Sequence, residues 1–296
     1  MRIFVAFLAC VLIWGSTWYA IEWQLGYVTK EWSLTYRYAI ATLVIFIWCL
    51  IKRYRFGFSR HLHIYMAGTG FFLFSANYIL VYLGTEYLSS GLVAVCFSLL
   101  SFLNIINARL FLGTPFQWKT LIAAVIGVIG LASIFKPEIQ TFSFEDQITL
   151  GLVICVVATF IASLGNTIVA TKMAASVPLI PFNTISLAYG TLFNMMFALF
   201  QGDLPSLDPR PEYYIALLYL SVMGTVVAFS LYLWLINQIG VARAAYMAVL
   251  TPIVALMIST LMEGFQWTGY AIAGITLVVL GNVLMIKSKK PAPEMH

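Results

Sequence analysis

One basic side chain, Arg37, lies inside a long apolar stretch near the start of the sequence. A guanidinium in such a position can bind a carboxylate of a ligand or form an ion pair with an acid from another stretch. It can also extend along its apolar stem and place its charge at an interface. Glu22 and Glu86 stand at the ends of two other apolar stretches, so they are the candidate acidic partners of Arg37 in a gating ion pair. All three interpretations of Arg37 stay open from the sequence.

Polar and aromatic side chains within the apolar stretches are the candidates for binding a small-molecule substrate. Tyr78 and Tyr82 are one helical turn apart and therefore share a helix face. These tyrosines and Trp14 would contact the apolar part of a substrate, and amide and hydroxyl groups would bind its polar part. A buried Asn or Ser can equally join two helices. The candidate set is Trp14, Ser16, Asn77, Tyr78, Tyr82, Ser98, Asn166, Tyr232 and Tyr246.

Several kinds of chemistry are disfavoured by what the apolar stretches lack. None has an Asp or Glu at its middle, where proton-coupled carriers of cationic drugs usually hold a carboxylate. Basic residues are too scarce there to bind a sugar phosphate or nucleotide sugar, which favours a neutral or zwitterionic substrate. The four cysteines have no metal-ligand spacing, and no stretch holds a nucleophile–base pair. We therefore expect no cofactor, no metal site and no enzyme activity.

The elements that position these side chains are predicted to be membrane-spanning helices. Hydrophobic residues make up 62% of the 296 residues and charged residues only 9%, too few charges to cover a soluble protein of this length. The apolar runs predict an all-α polytopic membrane protein surrounded by the lipid bilayer. Its ten predicted transmembrane helices span residues 3–22, 33–51, 63–83, 90–110, 117–135, 149–170, 180–200, 213–235, 243–262 and 267–286.

Two echoes at nearly the same offset indicate a tandem duplication. Trp-Gly-Ser-Thr at 14–17 returns in weaker form as Leu-Gly-Asn-Thr at 164–167, and Phe-Gln-Trp at 116–118 returns at 265–267. Because each copy holds an odd number of predicted helices, the copies must have opposite orientations in the membrane. The sequence thus predicts two inverted five-helix repeats at 1–137 and 147–288, followed by a cytoplasmic tail at 289–296. Such repeats are typical of transporters, whose substrate site lies where the halves meet.

The distribution of charge predicts the orientation of the helices. If the N-terminus is cytoplasmic, twelve Lys and Arg residues lie on the inner side and three on the outer side, and nearly all the acids lie outside. The formal charge of +5 therefore comes from the loops of a membrane protein, and no nucleic-acid partner is expected. We expect a multi-pass protein of the cytoplasmic (inner) membrane with both termini in the cytoplasm.

Small residues and one proline predict how certain helices pack or bend. Small side chains let helices approach closely, so the fifth helix of each half is interpreted as a packing or dimer surface. The protein would then be a monomer or a homodimer through helices 5 and 10. Pro252 predicts a kink in helix 9, and its counterpart at an offset of 149 positions is Leu103. The small residues concerned are Ala123, Gly127 and Gly130 in helix 5 and Gly269, Ala273 and Gly281 in helix 10.

These features together resemble the EamA-like, ten-helix branch of the drug/metabolite transporter superfamily. The resemblance covers essentially the whole chain and rests on short motifs in a fixed order. It implies a central cavity lined by helices 1, 3, 4, 6, 8 and 9, peripheral helices 5 and 10, alternating access, and commonly the export of amino acids or related metabolites. The motifs are Trp-Gly-Ser-Thr at 14–17, Tyr-Arg-Tyr-Ala at 36–39, Ser-Gly-Leu-Val-Ala at 90–94, its partner at 240–245, Pro252 and Glu263.

One departure from the family pattern concerns the two gates. The first half has Leu103 and Gly113 where such proteins often carry Pro and Glu, so the gates at the two ends need not be equivalent. The sequence as a whole predicts an exporter of a small metabolite, most of all an amino acid or related zwitterion. The alternatives are an exporter or flippase of lipophilic drugs or lipids and, from a different class, an intramembrane enzyme.

Overall fold

The computed structural model describes residues 1–114, 118–135 and 147–288, and this part of the chain is helical, without strands. It contains the ten predicted helices, which confirms the all-α polytopic fold. The described residues do not include positions 136–146, which connect the two predicted repeats, or the tail at 289–296. They also do not include Phe116 and Gln117 of the second echo. The helices are α1 Arg2–Glu22, α2 Lys30–Ile51, α3 Arg60–Thr85, α4 Ser90–Leu112, α5 Trp118–Ile134, α6 Gln147–Val169, α7 Leu179–Phe200, α8 Pro211–Ile239, α9 Met247–Met262 and α10 Gly269–Ser288.

The lengths and composition of the described helices suit a bilayer. Seven of them are long and apolar enough to cross a membrane, and α5 and α9 contain shorter apolar segments. The largest boundary differences from prediction are at α8, which runs on to Ile239, and at α9, which begins at Met247 after a separate short helix, Val241–Ala244. Hydropathy is a smooth local average, so it does not locate such interruptions.

The third helix of each half contains a π-helical segment. In α3 it covers Phe72–Ala76, and in α8 it covers Tyr219–Val227. A π turn carries an extra residue, which shifts the backbone hydrogen bonds and leaves carbonyl groups for other partners. The two segments begin 147 positions apart, close to the offset of the sequence echoes. The π-helical segment is therefore part of the repeat, although no sequence motif predicted it.

The fourth helix of each half is interrupted at an equivalent place, and the two breaks are 147 positions apart, the same offset as the π segments. α4 consists of Ser90–Phe97 and Leu100–Leu112, with the break at Ser98 and Leu99. In the second half the break precedes α9, at Ala245 and Tyr246, and α9 then continues through Pro252. The proline cannot donate a hydrogen bond to the carbonyl one turn earlier. The kink predicted at Pro252 stays a prediction.

The two halves interleave rather than lie side by side. α1 packs on α8 and α9 of the second half, and α6 packs on α3 and α4 of the first. The second helices of the halves, α2 and α7, form another contact across the halves. Each first helix thus packs on the π segment of the opposite half, and the pathway expected between the halves is bordered by both π segments.

The fifth helices form a pair at the periphery, and most of their contacts are with each other. A side-chain carbon added to Gly274 would lie 2.5 Å from the Gly130 carbonyl oxygen, and one added to Gly281 would lie 2.7 Å from that of Ala123. The predicted small-residue faces therefore pack within one chain. Gly269 is an exception, because nothing lies within 4 Å of the same position there. A homodimer through α5 and α10 stays a prediction and would need other faces of these helices.

Candidate substrate pathway

Arg37 is buried in a group of aromatic rings. Its side chain is 4% exposed, and its guanidinium carbon lies 4.8 Å from the ring centre of Tyr78 and 5.2 Å from that of Tyr38. Its Nη1 donates to the Tyr82 hydroxyl at 3.5 Å, and this hydroxyl donates to Gln24 Oε1 at 2.5 Å. Cation–π contacts of this kind stabilise a desolvated guanidinium by about 2 kcal/mol. In this conformation Arg37 does not extend to the membrane interface, because a side chain that did so would be exposed.

No carboxylate of the described residues forms an ion pair with Arg37. Glu86 instead lies 3.4 Å from Lys30 Nζ, and the Glu22 carboxyl lies beside that of Glu263. The structure therefore does not bring the two proposed acidic partners to Arg37 in this conformation. The gating role of Arg37, Glu22 and Glu86 stays a prediction.

Trp14 and Ser16 join α1 to the π segment of α8. Trp14 Nε1 donates to the Gly224 carbonyl at 3.1 Å, and the Ser16 and Tyr219 hydroxyls are 2.6 Å apart. The rings of Trp14 and Tyr232 lie 5.3 Å apart. Three of the predicted residues are thus brought together. Tyr219 was missed by sequence reasoning, and nothing in its local sequence distinguishes it from other aromatic residues of the span.

Glycine explains the rest of the Trp-Gly-Ser-Thr motif. A side-chain carbon at Gly15 would lie 2.5 Å from Val254 Cγ1, and one at Gly224 would lie 2.8 Å from Thr17 Cγ2. The absence of side chains here lets α1 contact both α8 and α9. The motif therefore forms a joint between three helices, in addition to any contact with a substrate.

The weaker echo in α6 performs a similar packing role in the opposite half. A side-chain carbon at Gly165 would lie 2.8 Å from Leu73 Cβ in the π segment of α3. Asn166 Nδ2 donates to Asn104 Oδ1 of α4 at 3.3 Å. This pair matches the interhelical alternative for a buried Asn, and Asn104 also lies on the polar side of α4.

Both π segments offer a carbonyl group to a side chain from another helix. Phe74 O accepts from Asn194 Nδ2 of α7 at 3.1 Å, as Gly224 O accepts from Trp14 in the other half. Asn77 follows the first π segment, is fully buried, and donates through Nδ2 to Leu73 O at 3.3 Å. The Oδ1 atoms of Asn77 and Asn194 have no partner among the described residues. These oxygens are free acceptors in the interior of the bundle.

The remaining predicted substrate-binding residues, Ser98 and Tyr246, lie apart from these two groups. The Ser98 hydroxyl donates to Val95 O at 2.6 Å within α4, at the break in that helix. Tyr246 is half-buried in the turn between Val241–Ala244 and α9. The structure therefore gathers Trp14, Ser16 and Tyr232 at one joint and Tyr78 and Tyr82 around Arg37.

A cavity of about 540 Å³ lies where α1 and α3 end and α2 begins. We call this end of the bundle the acidic end, because Glu22, Glu31, Glu86 and Asp203 line the cavity together with Lys30. The opposite end, which carries Arg53, Arg60, Arg109 and Lys172 in or near its loops, is called the basic end. Glu31 lines this cavity although it is only 5% exposed.

Two loops are tied together at the acidic end. Arg210 donates from Nη2 to Asp208 Oδ2 at 2.6 Å and from Nε to Oδ1 at 2.9 Å, and its Nη2 also donates to Leu25 O at 2.8 Å. The hydrogen bonds from Arg210 lower the pKa of Asp208 and raise that of Arg210. The connection between α7 and α8 is thereby held on the connection between α1 and α2.

The chain has ten apolar helices in two interleaved halves, with polar side chains in the interior between the halves. This architecture is that of a membrane transporter built from repeats. The model of the EamA-like transporter family matches residues 1–136 and 149–287, and the chain belongs to this family. It is therefore a multi-pass membrane transporter of the EamA/DMT type.

Curated relatives span nearly the full chain. The uncharacterized transporter YoaV of Bacillus subtilis is 24% identical over 95% of both chains. The uncharacterized inner membrane transporter YedA of Escherichia coli K12 is 22% identical over 100% of this chain and 96% of its own. Protein PagO of Salmonella typhimurium is 22% identical over 98% and 94%. A solved structure, described only as the crystal structure of a protein, has the same fold, with a TM-score of 0.67 over 96% of both chains at 15% identity.

Proposed function

We propose that this transporter exports a small zwitterionic metabolite, most of all an amino acid, across the cytoplasmic membrane by alternating access. The single observation that carries the proposal is the buried Arg37, which has aromatic and hydroxyl partners but no carboxylate among the described residues. A desolvated cation without a counter-charge is costly inside a membrane protein. A substrate carboxylate would supply that charge.

The surroundings of Arg37 suit the rest of a zwitterion. Tyr78 and Tyr82 present rings for an apolar side chain, and the free Oδ1 of Asn77 on the same helix can accept a hydrogen bond from an ammonium group. Trp14 and Tyr232 add a second aromatic surface at the joint of α1 and α8. These groups match a neutral overall charge with separated ends, which a phosphorylated substrate would not have.

The proposed orientation in the membrane follows from charge. Basic residues collect at one end of the bundle, which under the positive-inside rule is cytoplasmic. Both termini would then be cytoplasmic, and the acidic end would face outward. The inner membrane location is supported by the relative YedA, which bears that description. Alternating access is supported by the inverted, interleaved halves.

The test is uptake of labelled amino acids into inside-out vesicles that contain the protein, with and without a pH gradient. We expect saturable uptake, and we expect Arg37→Ala to lower its rate about 10- to 100-fold, because a charge-assisted bond to the substrate is lost. Arg37→Lys should restore part of the rate. Arg109→Ala is the matched control, because Arg109 is an exposed arginine at the basic end.

The outcomes separate the possibilities. Accumulation driven by the gradient would identify proton antiport, and equilibration without accumulation would identify a facilitator. If Arg37→Ala and Tyr82→Ala both transport at the wild-type rate in normally inserted protein, Arg37 does not bind the substrate and the proposal is wrong.

A second candidate, a lipid or lipophilic-drug exporter, is favoured by one observation. An apolar groove of about 280 Å³ between α2 and α7 is lined partly by Leu43 and Phe46, which are 59% and 40% exposed. Such a groove would give a lipophilic molecule lateral access from the bilayer. Inhibition of amino-acid uptake by hydrophobic cations, or transfer of a fluorescent lipid between leaflets, would support this candidate.

A further inference from the structure

Glu263 fastens the end of α9 to the beginning of α4. Its Oε1 accepts from the Ser90 backbone N–H at 2.9 Å, and its Oε2 accepts from the Ser90 hydroxyl at 2.7 Å. Ser90 is the first residue of α4, where unpaired N–H groups and the helix dipole favour a negative charge. Both oxygens of one carboxylate therefore hold the same residue of the opposite half. We call this pair of bonds the Glu263–Ser90 latch.

The backbones are in close contact directly below the latch. A side-chain carbon at Gly91 would lie 2.9 Å from Leu256 Cδ2 and from Ser259 Cβ, both on α9. The segment Ser90–Phe97 packs on both α9 and α6, whereas the segment Leu100–Leu112 packs on α6. Asn107 Nδ2 donates to Ser163 Oγ of α6 at 2.9 Å in that second contact. α4 therefore meets α9 at the acidic end and follows α6 toward the basic end.

Among the described residues, the inverted repeat provides no equivalent latch at the basic end. At offsets of 149 and 150 positions, the counterparts of Glu263 are Thr114 and Gly113, and the counterpart of Ser90 is Gly240. Gly113 and Gly240 have φ angles of +67° and +81° and no neighbouring atom within 4 Å of a built side-chain carbon. None of these three positions has a carboxylate. The conformation that is closed at the basic end therefore lacks the bonds that stabilise closure at the acidic end.

We infer that Glu263 is a gating residue that closes the gap between α4 and α9 beside the cavity of the acidic end, and that the missing counterpart makes the unliganded protein favour the conformation open at the basic end. The inference rests on the alternating access of the proposed function, but not on the identity of the substrate. In the substrate-free conformation that is open at the basic end, the binding site is accessible from the side proposed to be cytoplasmic. A difference of this kind between two otherwise matching conformations sets their relative populations.

Glu22 supplies a contrasting prediction, because its carboxyl group lies beside that of Glu263. Two adjacent carboxylates repel each other when both are charged. Glu22→Gln removes one charge and can donate a hydrogen bond to Glu263. This substitution should therefore stabilise the latch, whereas Glu263→Gln and Ser90→Ala should weaken it.

The experiment measures the distance between spin labels at Leu110→Cys and Gln238→Cys in the full chain in lipid nanodiscs, without substrate. Both positions are exposed near the basic end, and the natural cysteines are buried. We expect a main population at long distance. Glu263→Gln should reduce the ratio of long to short populations about tenfold, since Gln has one acceptor oxygen instead of two and the remaining bond loses its charge assistance. Ser90→Ala should give a smaller reduction and Ser90→Thr should retain the ratio.

Opposite signs make the result specific to the latch. Glu22→Gln should raise the long population, and Glu212→Gln should leave it unchanged, because Glu212 is an exposed acid near the same end of the bundle. Equal distance distributions for wild type, Glu263→Gln and Ser90→Ala would overturn the inference, even if amino-acid transport were demonstrated. A shifted distribution without any amino-acid transport would support the latch and contradict the proposed substrate.

Discussion

The peripheral pair α5–α10 and the central eight helices both contain close glycine contacts, but they differ in their unpaired buried polar groups. The pair packs backbone against backbone through small residues such as Gly130 and Gly274. The central helices contain, in addition, buried polar atoms without hydrogen-bond partners. Among the described residues, every buried side-chain nitrogen or oxygen without a hydrogen-bond partner belongs to the central eight helices or the loops between them. The examples on polar amide or guanidinium groups are Gln24, Arg37, Asn77, Asn107, Asn183 and Asn194.

This difference teaches how a transporter can be stable and still move. Close contacts between helices are the main source of stability in lipid, where apolar surfaces gain nothing by leaving the solvent. An unpaired buried polar group costs about 1–3 kcal/mol, so it is expected where a substrate or a second conformation provides its partner. In this protein close glycine contacts occur in both regions, at Gly130 and Gly274 in the pair and at Gly15 and Gly70 in the centre, whereas the unpaired groups of the described residues all lie in the central region. Substitutions in the two regions should therefore change different measurements.

The largest effect should come from the pair. Gly274→Leu places a side chain where the nearest atom, Gly130 O, is 2.5 Å away, so α5 and α10 must separate. We expect a loss of about 3 kcal/mol or more and little monodisperse protein. Thermal melting monitored by size-exclusion chromatography measures it. Gly269→Leu is the control on the same helix, because its site is open. Equal melting temperatures for the two variants would show that this contact does not hold the pair together.

A smaller change in stability but a clear loss of transport should follow from Asn77→Leu in the central region. The side chain is fully buried with an unpaired Oδ1, so an apolar replacement should leave the melting temperature equal or higher. Transport should fall about tenfold because an acceptor for the substrate is lost. Asn282→Leu is the matched control, since Asn282 on α10 makes the same bond one turn back, to Val278 O at 3.0 Å. Equal transport by both variants would contradict the placement of the substrate pathway among the central helices.

The smallest effect concerns the loops of the central region at the acidic end. Asp208→Asn should lower stability by about 1 kcal/mol near neutral pH, a modest value because Arg210 is 45% exposed. The pKa of folded Asp208 is lowered by Arg210, so its contribution is present above the unfolded pKa near 4 and is lost as the pH falls through the folded value. Melting curves of both proteins should therefore converge at acidic pH. A gap that widened on acidification would contradict this assignment.

Particular residues show how far the sequence could be interpreted. The echo of Trp-Gly-Ser-Thr indicated equivalent positions, and both copies do pack on a π segment of the opposite half. The small residues of helices 5 and 10 indicated close packing, but Gly269 is open and Gly274 takes its place. Glu86 was a candidate partner of Arg37 because it is an acid at a helix end, and in this conformation it lies beside Lys30. Sequence spacing predicts the face of a helix, whereas the partner depends on the rotation of the neighbouring helix.

The sequence by itself determined the features that depend on local composition. Lipid selects runs of apolar residues, so the ten helices can be counted without a structure, and a duplication leaves echoes at a constant offset. The tertiary structure alone decided the contacts between elements distant in the chain. The π segments, the aromatic surroundings of Arg37, the burial of Glu31 and the Glu263–Ser90 latch arise only when helices from both halves are packed together. The hydrophobicity of a segment depends only on its own residues, whereas the environment of a side chain depends on the helices that pack around it.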